Sequence, residues 1–249
     1  MTAAAVIAAL SLPADARVDQ RVPKKLLVEN GAPTAADKRQ INDGIEELHW
    51  LAALKPDTIG VPAYRDDIRE YLEIAVLAVS LRAGAKAARL TELIHRAIPY
   101  PVFLIQSQPE SLALSLAHLR WSQGQAGQTV LDGLLITATL DAQTQATNDF
   151  LAALNVAHQP RHHLQAFYQG WIEKFDAYTA ARLTGRFTLA TDAAAECRRA
   201  ALAEHDRLSR EIAAIRTRAA KETQLNRRVD LNLQLKQLEA RLAEVAKQA

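Results

Sequence analysis

This chain of 249 residues has little of what most enzyme and cofactor signatures are made of. It has one cysteine, Cys197. That excludes an intramolecular disulfide framework and any multi-cysteine metal site. Glycine and proline number nine each, too few for collagen-like or low-complexity sequence. No apolar run approaches the roughly 20 residues needed to span a bilayer. The sequence contains no G-x-x-x-x-G-K-[ST], no G-x-G-x-x-G and no G-x-S-x-G, so the phosphate-binding loop, the dinucleotide fingerprint and the nucleophile elbow are missing. The formal net charge is +2, too small to imply a nucleic-acid partner by itself. No internal repeat is visible. What is present is enough apolar side chain for a sizeable core, at 49% hydrophobic residues.

The N-terminal ten residues are apolar but mostly alanine and carry no Lys or Arg before them. They read as a short helix, Ala3 to Leu10, stopped before Pro13, rather than as a secretion signal. The expected location is cytoplasmic. Arg21 to Asn30 reads as extended or irregular, with a turn at Asn30-Gly31 and Pro33. Thr34 is a helix N-cap, with Asp37 three residues on. The helix it opens places Ile41, Ile45, Leu48, Leu51 and Ala52 on one face, with Trp50 near its end, and closes at Lys55-Pro56-Asp57. Four strands and a helix follow in the order strand–helix–strand–strand–strand. The strands are Tyr71 to Arg82, Pro101 to Gln106, Ser111 to Gln123 and Val130 to Leu140. The helix is Lys86 to Ala97, and a turn lies at Gly124 to Gln128. Helical periodicity returns over Asn148 to Val156 and over Arg161 to Leu183, where Leu164, Phe167, Tyr168, Trp171, Phe175 and Tyr178 share one side. Gly185 is the expected C-cap.

From Asp192 to Ala249 there is no Gly and no Pro. Leu208, Ile212, Ile215 and Ala219 follow 4-3-4 spacing, and Leu231, Leu235, Leu238, Leu242 and Val245 follow 4-3-4-3, both patterns of a coiled-coil seam. The two registers do not agree: continuing the first puts Glu222, Asn226, Val229 and Leu233 at the seam. The mismatch falls across Lys221 to Val229, and with no turn residue there a continuous helix is favoured over a hairpin. The fold expected is α+β: a small mixed β-sheet domain with N-terminal helices (1–143), a helical region (144–191) and a C-terminal coiled-coil-like helix (192–249).

Candidate chemistry is sparse. His158 and His162 are four apart, as two ligands on one helix face would be, but Pro160 lies between them, and a solvated helix start, His163 included, is the simpler reading. Cys197 precedes Arg198 and Arg199, which favour a thiolate, yet no base or oxyanion site accompanies it. Asp66, Asp67, Glu70 and Glu73 precede the first of the four strands as a metal-dependent nuclease's acids do, but the next strands supply no converging carboxylate. No metal or other cofactor is expected. From Glu196 to Ala249 the chain carries 12 Lys and Arg against 8 Asp and Glu. Arg198, Arg199, Arg207, Arg210, Arg216, Arg218 and Lys221 form a candidate nucleic-acid stripe. Interleaved Glu204, Asp206, Glu211 and Glu222 weaken it, and the usual meaning of such a pattern is a solvated helix face with i,i+4 pairs.

Three stretches in order carry a resemblance. They are Arg21-Val22-Pro23-Lys24 with Glu29-Asn30; Leu72 to Arg82 followed by Ile94-His95-Arg96-Ala97-Ile98-Pro99-Tyr100 and Val102-Phe103-Leu104-Ile105; and Gln224-Leu225-Asn226-Arg227-Arg228-Val229-Asp230-Leu231-Asn232. Together with Trp50 they resemble the bacterial family known as domain of unknown function 4391, across nearly the whole chain. This chain departs from a typical member in being Ala-rich with a less polar strand region. The resemblance implies a setting beside Snf2-type helicases, restriction-type helicases and DNA methyltransferases. It thus implies a non-enzymatic accessory or adaptor role in an anti-phage or restriction-like DNA-processing complex, with a helicase or methyltransferase as partner and no catalytic residues to transfer. On that reading the partner contacts are expected at Lys24, Lys25, Asn226, Arg227, Arg228 and Asn232, with self-association also open. Two alternatives stand beside it: a DNA-binding subunit using the basic helix, and a divergent nuclease built on the acidic cluster.

Overall fold

A computed structural model describes residues 1–124, 127–140, 143–189 and 192–247, without the side chains of Asp192 and Ala193. Gln125 and Ala126, inside the expected 124–128 turn, lie outside the described residues, as do Gln248 and Ala249 at the end of the expected tail. The chain divides into two compact units between Phe175 and Asp176.

The first unit opens with α1 (Ala3–Leu10), β1 (Arg17–Arg21), α2 (Lys24–Gly31), α3 (Ala35–Gly44), β2 (Ile45–Leu54) and the short α4 (Pro56–Ile59). A two-residue pairing of β3 (Tyr64–Arg65) with β4 (Glu70–Tyr71) leads into β5 (Ile74–Leu81), α5 (Ala87–Ala97), β6 (Val102–Gln108), β7 (Ser111–Trp121) and β8 (Thr129–Thr139). Two helices follow, α6 (Gln145–Ala153) and α7 (Leu164–Thr184), the latter crossing the unit boundary. One mixed sheet of six strands runs β1-β2-β5-β6-β7-β8. Only β5 and β6 are parallel, in register from Ala75 opposite Val102 to Ser80 opposite Ser107, joined through α5. The expected strand–helix–strand–strand–strand order is β5-α5-β6-β7-β8, and β1 and β2 extend that sheet.

Both faces of β5 and β6 are covered, so these strands read as unbroken apolar runs rather than alternating ones. On one face Leu77, Val79, Val102 and Leu104 meet Leu90, Leu93 and Ile94 of α5, with Leu27 of α2 and Ile41 of α3. On the other, Phe103 meets Trp171 (ring centroids 4.7 Å) and Phe175 (6.0 Å) of α7, and Trp171 also meets Phe167 at 4.9 Å. The aromatic side of α7 read from spacing is this core layer. Trp171 Nε1 donates to the carbonyl of Leu154 at 2.9 Å, which satisfies its one polar atom. Beneath the sheet lies a buried polar contact: His95 Nε2 of α5 and Ser115 Oγ of β7 share a hydrogen bond at 2.9 Å. Burial drives the His95 imidazole down to about 3, so it is neutral in the folded protein.

Several sequence expectations are corrected. Arg21 to Asn30 is not irregular: it ends β1 and forms α2. Short α2 is held by tertiary contact, not by propensity. A Cβ on Gly31 would lie 2.7 Å from both Ala97 Cβ and the Leu93 carbonyl of α5, so glycine is what lets the two helices meet. The helix opened by Thr34 stops at Gly44, and Ile45 to Leu54 is strand β2 between β1 and β5. The residues Ile41, Ile45, Leu48 and Ala52 fit a helix face, but a short apolar run does not distinguish a buried helix from a buried strand. The Thr34 cap itself is present, its Oγ1 accepting from Asp37 N at 3.1 Å. The Asp37 carboxylate takes Arg89 Nε and Nη2 at 2.8 and 2.9 Å, which ties α3 to α5 and holds the carboxyl down to about 2. The helix expected at 148–156 begins earlier, at Gln145, capped by Thr144.

The second unit holds α8 (Asp192–Lys221) and α9 (Leu225–Ala246). They are two helices packed on each other, not one continuous helix. The break at residues 222–224 falls where the two registers disagree. Without Gly or Pro, the turn is made by Glu222, whose side chain accepts from Gln224 N at 2.9 Å. Leu208, Ile212, Ile215 and Ala219 are buried, and Leu231, Leu235, Leu238, Leu242 and Val245 are half-buried. Arg216–Glu239 at 2.6 Å and Arg241–Glu204 at 2.7 Å bridge the helices. Among the described residues no helix is long and apolar enough to cross a membrane.

Two measurements check this packing. Trp171→Ala empties a fully buried site and is expected to cost about 3–5 kcal/mol in denaturant unfolding. His95 takes up a proton readily only when unfolded. Stability is therefore flat above the unfolded value of 6.5 and falls by about 1.4 kcal/mol per pH unit from there down toward about 3. His95→Gln is expected to remove that part of the slope while retaining a partner for Ser115.

Candidate functional site

The residues singled out in the sequence fall in two places. In the first unit, the Lys24 ammonium sits on the carbonyls of Ile45 and of Asn42, the latter at 3.0 Å. Arg82 Nη1 reaches the carbonyl of Asp43 at 2.8 Å beside it. These are the free carbonyls at the end of α3, so both cations cap that helix. Desolvation, then the neighbouring Arg82 and Arg21, lower the Lys24 amine below its ordinary value. Lys24 is therefore committed to the fold. Lys25 is exposed and pairs with Glu29 at 3.6 Å within α2.

Parts of the first two stretches that carry the family resemblance meet at one cleft of about 600 Å³, at the end of α2 and α5, whereas the third lies on α9. Glu29 and Asn30, Leu72, Arg96, Pro99 and Tyr100 are among the residues that line it, with Trp121. Its charged groups are neutralised locally: Glu29 by Lys25, Arg96 by Glu92 at 2.6 Å, and Glu70 by Arg65 at 3.2 Å. The acidic cluster is likewise dispersed. Asp66 accepts from Tyr64 Oη and from the backbone of Ile68 and Arg69, and Glu73 pairs with Lys55 at 3.2 Å. Among the described residues no group of three His, Cys, Asp or Glu converges as a metal site does. His163 Nδ1 accepts from Ala166 N at 3.0 Å and its ring lies 4.5 Å from that of Tyr64. His158 Nδ1 lies 3.2 Å from the carbonyl of Ala152.

One polar group in this unit escaped the sequence reading. Tyr71 Oη hydrogen-bonds His118 Nδ1, and His118 Nε2 lies 3.2 Å from Gln169 Oε1. These residues come from β4, β7 and α7, so no local spacing announces them. Burial pushes the Tyr71 phenol up, which keeps it neutral.

The second place is the helical hairpin. Much of the basic stripe there is internally spent. Arg198 donates to the carbonyl of Thr188 at 2.7 Å, Arg199 lies 3.8 Å from Asp176, and Arg207 bridges Glu204 and Glu211. Arg210 Nε lies 3.3 Å from the carbonyl of Asp206, and Arg216 pairs with Glu239. The exposed Cys197 thus has neighbours whose cations are turned elsewhere. Arg218, Lys221, Arg227 and Arg228 are exposed, form no ion pair among the described residues, and flank the turn from both helices. Beside them, Leu225, Val229 and Leu233 are 64%, 49% and 56% exposed. Spaced four apart, they form a stripe on the side of α9 away from its seam. Asn226 and Asn232 are exposed on the same helix. The expected polar seam position at Asn226 is thus absent, because the second register, not the first, faces α8. The outer stripe becomes legible once a turn is allowed at 222–224: α9 then carries two apolar lines.

The architecture defines a class: an α+β sheet domain joined to an antiparallel helical hairpin. The chain belongs to the family described as domain of unknown function (DUF4391), whose model matches residues 10–242. Neither the curated proteins nor the solved structures contain a match.

The placement of Lys24 and Lys25 separates structural from exposed cations. Lys24→Ala is expected to lower stability by about 1 kcal/mol through the uncapped carbonyls of α3. Lys25→Ala is expected to leave thermal unfolding unchanged, and equal effects of the two would contradict the capping role.

Proposed function

We propose that this protein is a non-enzymatic accessory subunit of a bacterial DNA-processing complex of the anti-phage or restriction-like kind. It docks a helicase or a DNA methyltransferase through its helical hairpin. The observation that carries the reading is the outer face of α9. Leu225, Val229 and Leu233 stand exposed beside cations that have no ion-pair partner among the described residues, while the seam of the hairpin is already filled by α8. A helix that has satisfied its own packing and still presents an apolar line is suited to receive another protein element. The resemblance supplies the partner class, and the dispersed acidic cluster gives the nuclease alternative no support.

A DNA contact is the second reading, favoured by Arg218, Lys221, Arg227 and Arg228 around the turn. It requires affinity that falls steeply with salt, through counterion release. A stripe of leucine and valine is not needed for that contact, which places it second.

Purification of the tagged protein from its native operon, with mass spectrometry, is expected to bring down a helicase or methyltransferase in stoichiometric amount. The pair Val229→Asp and Leu233→Asp should leave melting of the protein unchanged and abolish that recovery. Recovery undiminished by the pair overturns the docking face. Loss of recovery only on reversing the four cations, with salt-dependent binding to duplex DNA, transfers the role to DNA.

A further inference from the structure

The six-stranded sheet has two edges that differ in kind. β1 is closed to further pairing in the ways sheet edges usually are. Its five residues include Arg17, Asp19 and Arg21, and the ladder is broken at Asp19, whose φ is +48°. β8 is eleven residues long, and its one ionised side chain, Asp132, is taken by Arg69 and Arg120. A bulge opposes residues 133–135 to Ala117 alone, with Gly133 at φ +86°. It leaves Leu134 85% exposed and protects only the first half of the strand.

The second half is open. Leu140 N donates to the carbonyl of Leu112 at 2.8 Å, continuing the ladder in which Ala138 faces Leu114 and Ile136 faces Leu116. Antiparallel ladders alternate, so Ala138 bonds inward and Thr137 and Thr139 turn N–H and C=O outward. Among the described residues no backbone group meets them.

We propose that this edge pairs with the same edge of a second copy of the chain, antiparallel about a two-fold axis at Ala138. Thr137 of each copy then lies opposite Thr139 of the other. The register is self-complementary, as a two-fold interface requires. It satisfies the outward backbone groups and sets threonine against threonine, a favourable cross-strand pair. No charged side chain lies in the paired segment, so the copies approach without like-charge repulsion. The result is one sheet continuous through two molecules.

Sedimentation velocity on the full chain over a concentration series tests this. A reversible dimer in the micromolar range is expected. Thr137→Lys should leave a monomer with unchanged melting, because lysine on an edge opposes pairing. The amides of Thr137 and Thr139 in the unaltered chain should gain hydrogen-exchange protection as concentration rises, a readout independent of how the variant folds. A monomer at every concentration overturns the proposal. So does a dimer that survives Thr137→Lys, and so does one lost on Leu233→Asp alone, which would place the contact on α9.

Discussion

Everything in the first unit depends on the parallel pairing of β5 and β6 with both faces buried. A parallel pair needs a crossover, and α5 is that crossover. Once α5 lies on the sheet, it offers the Leu93 carbonyl and Ala97 to Gly31 of α2 and Arg89 to Asp37 of α3. The chain before the pair is then drawn in, with β1 and β2 continuing the sheet on the β5 side. The chain after it makes the β7–β8 hairpin on the β6 side and returns as α7 to cover the opposite face. The cleft at the ends of α2 and α5 is a product of the same arrangement.

What could be read from sequence follows from this layering. β5, α5, β6 and β7 are legible because signals such as Gly84 and Pro101 bound them: β5 and β6 as short apolar runs with β-branched residues, β7 by partial alternation, and α5 by its helical period. β2 was not, because Ile41, Ile45, Leu48 and Ala52 satisfy a helix face as well as a buried strand, and only the neighbours on either side decide. α2 was not, because it owes its helix to the glycine-mediated approach to α5. In the hairpin the seam residues were legible but the turn was not, since its marker is a register conflict rather than a glycine or proline. The site residues divide in the same way. The cationic stretch was visible as composition, whereas its division into paired arginines and four cations around the turn depends on which acids α8 and α9 bring within reach. Lys24 is expected as a contact residue on the resemblance alone, and nothing local in the sequence signals that the carbonyls of Asn42 and Ile45 await it.

The two units follow different rules of construction. The first is held by a continuous core in which a single buried imidazole is neutral and hydrogen-bonded. The second is a two-helix packing with a narrow seam, cross-helix ion pairs and a large exposed remainder. Exposed pairs of that kind contribute little individually, so the seam leucines and isoleucines carry the hairpin.

Arg227 and Arg228 occupy the beginning of α9, whose first turn contains no acidic residue. Unsatisfied N–H groups already make that end of a helix positive, and cations there are disfavoured by a few tenths of a kcal/mol or more. A sequence shaped only by folding would put aspartate or glutamate at these positions. The tip therefore holds a small electrostatic mismatch. A negative group brought against the tip would offset that mismatch, so the cost that Arg227 and Arg228 impose on the isolated helix is one that an acidic neighbour would relieve.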